Sequence, residues 1–348
     1  MGESTNTGAR IAVIGGGAIG AIWAAGLAQT GNDVLVVDVA PDVVEAISTR
    51  GLIVETAAGE QPAVPVRAVG QPEGESPADV VFFLVKAHQT AAAVELTRPL
   101  VDPRTTVVTQ QNGWGSADLL ARLHTPDQLV VGVTYHSASA AGPGHTRHTG
   151  RGQSFVGPYV HGGDIARAKQ VGALLNAAGI ETTVTAQVKT EIWKKLVLNC
   201  ATLPTAALTR LTAGELGQPG PVLDLLDAIA AEAVQVARAQ GYEIDHAERV
   251  ERIHAILQNG GNGKPSMLQD VESGHKTEIE VINGAVVHAA TEAGIDVPLN
   301  RAMLSLVSAM ERSYLGKLEP SSEVHLRPPM TYGEPPAAGH EPGAKRSA

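Results

Sequence analysis

Residues 192–200, IWKKLVLNC, carry a lysine and an amide at a spacing that could do chemistry. Lys195 and Asn199 are four residues apart, so they share one face of the helix that this stretch predicts. An ammonium group on such a face could polarise a carbonyl group and donate a proton to it. A lysine on a helix is more often a solvated surface residue, and the spacing alone does not decide between the two interpretations.

A second candidate, Glu278, lies in residues 266–287, which predict a short helix, a glycine break and a longer helix. Thr277 and Glu280 match the capping box, which makes Glu280 structural and predicts a helix over residues 278–293. Glu278 would then be an acid in the first turn, favoured there by about 0.3–1 kcal/mol. Considered alone, Glu278 needs no further role.

A glycine-rich turn in residues 10–20, RIAVIGGGAIG, could hold a cofactor for this chemistry. The stretch predicts a buried strand, a tight turn and the start of a helix, and its glycines complete the GxGxxG pattern of dinucleotide-binding folds. Phosphates would lie at the helix N-terminus, where N–H groups and the helix dipole favour negative charge. The predicted cofactor contacts are with Gly15, Gly17, Ala18, Ile19 and Gly20.

The second predicted strand, residues 34–37, ends at Asp38, eighteen residues after Gly20. A carboxylate at this place accepts hydrogen bonds from the adenosine ribose hydroxyls. The same carboxylate would repel a 2′-phosphate, so Asp38 favours NADH over NADPH. The competing interpretation is a turn that binds nothing, with Asp38 only preceding a helix.

Two further polar side chains follow predicted buried strands. Residues 80–85 form the continuous apolar run of a parallel strand and precede Lys86, and residues 106–109 precede Asn112. Ligands of doubly wound α/β sheets bind beyond the carboxyl ends of the strands, where these two residues fall.

The length of 348 residues is sufficient for two domains. Alternating strands and helices predict an α/β fold with a Rossmann-type doubly wound sheet over residues 9–186, and residues 129–157 indicate antiparallel strands, the first over 129–139. An all-helical domain is predicted for residues 187–318, with helices at 187–202, 221–239, 246–258, 278–293 and 299–315. Residues 1–8 and 319–348 have the composition of disordered tails.

The composition excludes several classes of partner. With 43% hydrophobic residues, a net charge of −10 and no basic block, the chain is globular and not suited to nucleic acid. The polar start and the absence of a long apolar run predict neither signal peptide nor membrane span, so we expect a cytoplasmic protein. Cys200, the single cysteine, excludes an intrachain disulfide and is expected to be a buried small residue. No metal site is predicted.

Five stretches taken together resemble the ketopantoate reductases, and the resemblance extends over residues 10–318. It implies a Rossmann domain followed by a helical domain, with NADPH or NADH in the cleft between them. It also implies hydride transfer to 2-dehydropantoate, a 2-oxo acid, to give pantoate for coenzyme A biosynthesis. The stretches are GGGAIG at 15–20, VKAHQ at 85–89, QNGWG at 111–115, WKKLVLN at 193–199 and SMLQDVESGHKTEIEVING at 266–284.

The resemblance also implies roles for individual residues. The catalytic lysine of the family falls on Lys195, and the glutamate of its TEI motif falls on Glu278, which would hold Lys195 or a substrate hydroxyl. Asn112, Asn199 and Ser266 would fix the substrate. Lys86 and Asn112 match residues that line the cleft on the cofactor side and are the further predicted cofactor contacts, and Lys86 would contact either the cofactor or the substrate carboxylate.

The chain departs from the family at Leu203, where an asparagine commonly precedes the proline. A substrate hydroxyl that relied on that amide would lose its partner, at a cost of about 1–3 kcal/mol. Two alternative functions are therefore kept, a reductase of another branched 2-oxo acid and a dinucleotide-sensing protein without turnover. The apolar helices of the second domain could form a homodimer contact.

Overall fold

The computed structural model describes residues 8–315 of the chain. The predicted disordered tails, 1–8 and 319–348, lie outside the described residues except for Gly8. None of the helices described is both long and apolar enough to cross a membrane.

Twelve strands occur within residues 8–315. They are β1 (Arg10–Ile14), β2 (Asp33–Val37), β3 (Ile53–Thr56), β4 (Gly59–Glu60), β5 (Arg67–Val69), β6 (Val80–Phe83), β7 (Thr106–Thr109), β8 (Leu129–Thr134), β9 (Ser137–Gly142), β10 (His145–Gly150), β11 (Ser154–Pro158) and β12 (Thr182–Val184).

Eight of these strands form one sheet in the order β12-β11-β8-β7-β6-β1-β2-β5. Neighbouring strands are parallel except β11 and β8, which are antiparallel. The chain leaves β1 towards β2 on one side and reaches β6 on the other, so the direction of winding changes at β1 and β6. Doubly wound sheets bind ligands at such a switch point, and the glycine turn and Lys86 both follow strands that flank it.

Five helices accompany this sheet, and the apolar side chains of its strands are buried in two hydrophobic clusters. All four residues of β6 and all four of β7 are buried, as expected for parallel strands covered on both faces. The helices are α1 (Ala18–Gln29), α2 (Pro41–Arg50), α3 (Thr90–Thr97), α4 (Ser116–Leu123) and α5 (Ala166–Ala177).

Residues 129–157 contain antiparallel pairs as predicted, β8 with β11 and β9 with β10, but the single strand predicted over residues 129–139 is wrong. The chain forms β8 in the large sheet, where it is parallel to β7, and then begins β9 in a second sheet of order β4-β3-β10-β9. The two strands are separated by Tyr135 and His136, and the His136 N–H donates to Thr134 Oγ1 at 3.2 Å. The uninterrupted β-type composition gave no sign of this change of sheet.

Seven further helices form the second part of the described chain around one hydrophobic cluster. Helix α6 is central, since it packs against α8, α10 and α12 and its N-terminal half also contacts β8 of the sheet. The helices are α6 (Val188–Thr209), α7 (Ala213–Leu216), α8 (Pro221–Ala239), α9 (His246–Gln258), α10 (Ser266–Glu272), α11 (Asn283–Ala293) and α12 (Pro298–Leu315). The predicted fold class, a doubly wound sheet followed by an all-helical region, is confirmed.

The predicted helix over residues 187–202 continues through Pro204 to Thr209. Proline has no N–H to donate to the carbonyl four residues earlier, which is that of Cys200. That carbonyl instead accepts a hydrogen bond of 3.1 Å from the buried side chain of Asn283. A side chain of α11 therefore allows α6 to pass the proline.

The predicted capping box at Thr277 and the helix from residue 278 are also wrong. The Thr277 hydroxyl donates to Glu311 rather than capping with Glu280, which is exposed. A short 3₁₀ helix, Ile279–Val281, follows, and α11 begins only at Asn283. The buried carboxylate that competes for Thr277 lies on α12, too far along the chain for a local sequence pattern to register it.

Candidate active site

The turn between β1 and α1 leaves room for a ligand at the helix N-terminus. Gly15 has a φ of +100°, which side chains disfavour, and its N–H donates to the Val37 carbonyl at 2.9 Å. A Cβ atom on Gly20 would lie 1.9 Å from the Gly15 carbonyl oxygen, whereas one on Gly17 would meet no atom within 4 Å. This open space fits a phosphate group of a dinucleotide. The residues of the turn and the first helical positions are Gly15, Gly17, Ala18, Ile19 and Gly20.

Asp38 follows β2 and holds the glycine turn from the side. Its Oδ2 accepts a hydrogen bond of 2.7 Å from the Gly16 N–H, and its Oδ1 accepts one of 2.9 Å from the Ala40 N–H. The neighbouring Val39 is 72% exposed. The Asp38 carboxylate therefore joins the glycine turn to the segment that begins α2.

Lys195 reaches from α6 to the carboxyl ends of two strands. Its Nζ donates to Asn112 Oδ1 at 2.9 Å and to the Thr134 carbonyl, at the end of β8, at 2.5 Å. Burial lowers the pKa of Lys195 to about 8, although the charge of Glu278 acts in the opposite direction. This lysine is held by hydrogen bonds and is not a solvated surface residue.

Asn112 joins Lys195 to Glu278. While its Oδ1 accepts from Lys195, its Nδ2 donates to Glu278 Oε2 at 3.1 Å. Glu278 is 6% exposed, and its Oε1 accepts a longer bond of 3.4 Å from the Ala87 N–H. The predicted lysine and glutamate are thus brought together through an amide, without a direct contact.

Lys86 forms an ion pair with a residue that the sequence did not single out. Its Nζ lies 2.7 Å from Asp270 Oδ2 and 4.0 Å from Glu278 Oε2. Burial lowers the pKa of Lys86, but the charges of Glu278 and Asp270 outweigh it and raise the pKa above its usual value. For Asp270, burial has the larger effect and raises the pKa, although the charge of Lys86 acts to lower it. Lys86 therefore stays positively charged.

Asn199 and Ser266 are not joined to this network by hydrogen bonds within residues 8–315. Asn199 is buried one turn after Lys195 on α6, and Ser266 is the partly buried first residue of α10. Ser266 precedes Asp270 by one turn, so these two residues share a face of α10. Both predicted substrate contacts are on elements that carry a member of the network.

The network can hold a carbonyl compound and supply it with a proton. The ammonium group of Lys86 pairs with the carboxylate of Asp270. The ammonium group of Lys195 is joined to the carboxylate of Glu278 through Asn112. A lysine with a pKa near 8 is suited to proton transfer near neutral pH. The second ammonium group, which stays charged, is suited to binding a carboxylate.

Two members of the network, Asp270 and the Thr134 carbonyl, were not predicted from the sequence. The signal for Asp270 was its spacing of four residues from Ser266, which places the two on one helical face. The carbonyl of Thr134 is a backbone group, so no residue type could indicate it.

Two family models match the chain, one for each structural part. Residues 11–161 match the model described as ketopantoate reductase PanE/ApbA, and residues 187–311 match the model of its C-terminal region. Among curated proteins, the 2-dehydropantoate 2-reductase of Halobacterium salinarum is 31% identical over 303 residues, 87% of this chain and 99% of that protein. That of Archaeoglobus fulgidus is 32% identical over 303 residues, covering 87% and 98% of the two chains.

Solved structures give the same grouping. The structure of D-mandelate dehydrogenase with NADH and anilino(oxo)acetate has a TM-score of 0.84 and 26% identity, over 88% of this chain and 99% of that chain. A PanE/ApbA family ketopantoate reductase from Ralstonia eutropha has a TM-score of 0.78 and 31% identity with the same coverage. Since both family models and the relatives cover most of its length, the chain belongs to the ketopantoate reductase family.

Proposed function

We propose that this protein reduces 2-dehydropantoate to pantoate with a reduced nicotinamide dinucleotide. The observation that carries the proposal is Lys195, an ammonium group with a lowered pKa that is aimed by Asn112 and the Thr134 carbonyl. The curated relatives that cover nearly the whole chain are named for this reaction. The arrangement of the site supplies the groups that the reaction needs.

The cofactor, when bound at the glycine turn, supplies the hydride for the C2 carbonyl of the substrate. Lys195 polarises that carbonyl and donates the proton that its oxygen requires as the hydride arrives. In the resting site Asn112 Oδ1 and the Thr134 carbonyl hold the Lys195 ammonium in place. Holding the donor in position in advance avoids the cost of orienting it during the reaction.

The other members of the network bind and orient the substrate. Lys86 binds the substrate carboxylate, and Glu278 accepts a hydrogen bond from a substrate hydroxyl while its charge favours the protonated form of Lys195. Asn199 and Ser266 contribute further hydrogen bonds from α6 and α10. The resemblance implied the same substrate contacts for Asn199 and Ser266, whereas it placed Lys86 on the cofactor side of the cleft.

We further propose that NADH is the preferred cofactor. The carboxylate of Asp38 would repel a 2′-phosphate, and residues 34–49 contain no lysine or arginine that could neutralise one. Two similar solved structures are of D-mandelate dehydrogenase with NADH. On this proposal, the end of β2 discriminates between NADH and NADPH at the adenosine ribose.

Initial rates with 2-dehydropantoate and each reduced cofactor test both proposals. We expect turnover with a higher kcat/KM for NADH than for NADPH. Replacing Asp38→Asn removes the charge but keeps an oxygen acceptor for a backbone N–H, so the preference for NADH should shrink by about tenfold. Failure of both cofactors to support turnover would refute the activity, and a preference for NADPH would refute the role of Asp38.

A reductase of a different 2-oxo acid is the second candidate, and Leu203 is the observation that favours it. This residue is 8% exposed and belongs to the hydrophobic cluster of the helical part, so it offers no amide to a substrate hydroxyl. Among the similar proteins, D-mandelate dehydrogenase is named for a 2-hydroxy acid with an apolar substituent. A panel of aliphatic and aromatic 2-oxo acids, ranked by kcat/KM, separates this candidate from the first.

A further inference from the structure

We propose that Glu311 is a positioning residue for the reaction, which holds Glu278 in the site through Thr277. The inference rests on the proposed function, because it assigns a second carboxylate to the same site. Glu311 lies on α12, in the last part of the described chain, and is 8% exposed. Its role is distinct from the roles of the residues that meet the substrate.

The Glu311 carboxylate accepts its hydrogen bonds from Thr277, the residue immediately before Glu278. Its Oε1 accepts a hydrogen bond of 2.6 Å from the Thr277 N–H and another of 2.5 Å from the Thr277 hydroxyl. Thr277 is also buried. A buried carboxylate is costly unless it is hydrogen-bonded, so the position of Glu311 is tied to these two donors.

The residue after Glu278 is fixed by the same group. The Ile279 N–H donates to Thr277 Oγ1 at 3.2 Å. The Thr277 hydroxyl therefore accepts a hydrogen bond from the residue after Glu278 and donates one to Glu311. The backbone on both sides of Glu278 is therefore held by one chain of hydrogen bonds that ends on α12. A further contact, from the Tyr314 hydroxyl to the His275 carbonyl at 3.0 Å, attaches the same loop to the last turn of this helix.

Glu278 depends on this support because its side chain has no hydrogen bond to the helical part of the described chain. Its carboxylate accepts from Asn112 and from the Ala87 N–H, both of which belong to the sheet part. Its position relative to the helical part, and hence to Lys195, is set by its backbone. A shift of the loop by 1 Å would move the carboxylate away from Asn112, which aims Lys195.

The test uses variants of the two partners in the whole protein. Glu311→Ala should lower kcat/KM for the 2-oxo acid by about tenfold to a hundredfold, the loss typical of a misplaced group in a site. Glu311→Gln keeps the oxygen that accepts both bonds and should retain activity within about threefold of the wild type. Arg312→Ala, at the exposed next position of α12, is the control and should behave as the wild type.

A double-mutant cycle separates positioning from general stability. If Glu311 acts through Glu278, then Glu311→Ala should cost no further activity in a Glu278→Ala background, within about threefold. Equal losses in both backgrounds would overturn the inference, as would full activity of the single variant. Thr277→Val replaces Glu311→Ala in the cycle if that variant does not fold. Absence of turnover in the wild type would refute the proposed function itself, and the positioning role with it.

Discussion

At the scale of single residues, the site gains its chemistry from neighbours rather than from residue types. Lys194 and Lys195 are adjacent in sequence, yet Lys194 pairs with Glu191 on its own helix. Lys195 instead meets an amide and a carbonyl across the cleft, and burial lowers its pKa to about 8. The two lysines therefore differ in their hydrogen-bond and ion-pair partners and not in residue type.

The pH dependence of the reaction follows from the pKa of Lys195. Reduction requires the protonated lysine, so kcat/KM should be constant below about pH 7 and fall as the pH rises through about 8. Oxidation of the hydroxy acid requires the neutral lysine, so its kcat/KM should rise through the same range. Steady-state rates in both directions, measured against pH, check this expectation. A reduction rate that stays constant to about pH 10 would contradict it.

Part of the site could be predicted from residues alone. The spacing of Lys195 and Asn199, the glycine turn and the strand ends before Lys86 and Asn112 are local patterns, and the structure places all of them at the same edge of the sheet or on α6. The pairing of Lys86 with Asp270 joins residues 184 positions apart. Such a contact depends on how the two parts of the chain pack, which local patterns do not specify.

At the scale of elements, α6 and the loop before α11 are set by contacts between elements. Local propensity predicted that α6 ends before Pro204, but the helix continues because Asn283 satisfies the carbonyl of Cys200. Thr277 and Glu280 have the residue types of a capping box, but the Thr277 hydroxyl donates its hydrogen bond to Glu311. The other three helices whose bounds were predicted, 221–239, 246–258 and 299–315, agree with α8, α9 and α12 within one residue, since their apolar periodicity and ends are local.

The role of Asn283 can be measured as stability. Asn283→Ala removes the donor to the buried Cys200 carbonyl and should lower the free energy of unfolding by about 1–3 kcal/mol. Pro204→Ala restores an N–H at position 204 that can donate to the same carbonyl, so it should recover part of that loss in the double variant. Urea unfolding of the single and double variants gives these values. Strictly additive effects would contradict the proposed exchange of donors.

At the scale of the whole molecule, polar contacts join the sheet part to the helical part around the cleft. They include the Lys86–Asp270 ion pair, the bonds of Asn112 with Lys195 and Glu278, and a hydrogen bond of 2.8 Å from the Trp114 N–H to the Val281 carbonyl. The glycine turn and Lys195 are therefore on different parts of the described chain, and these parts meet at the residues named. The division near residue 187 stays a prediction as a domain boundary.

The Lys86–Asp270 ion pair should matter more to the site than to stability. Its lysine side chain is 37% exposed, and partly exposed pairs contribute little. We expect Asp270→Asn to lower the free energy of unfolding by less than about 1 kcal/mol, similar to Glu272→Gln in the surface pair with Lys264. Urea unfolding measures both. A loss of about 3–5 kcal/mol, as for a fully buried pair, would contradict this.

Turnover of Lys195→Ala tests most directly whether Lys195 is the proton donor. With 2-dehydropantoate and NADH, kcat should fall by about 10²–10⁴-fold, while the dissociation constant of NADH changes by less than about threefold. Lys194→Ala, which removes the neighbouring lysine that pairs with Glu191, is the matched control and should keep near-normal turnover. Near-normal turnover of Lys195→Ala would contradict the mechanism.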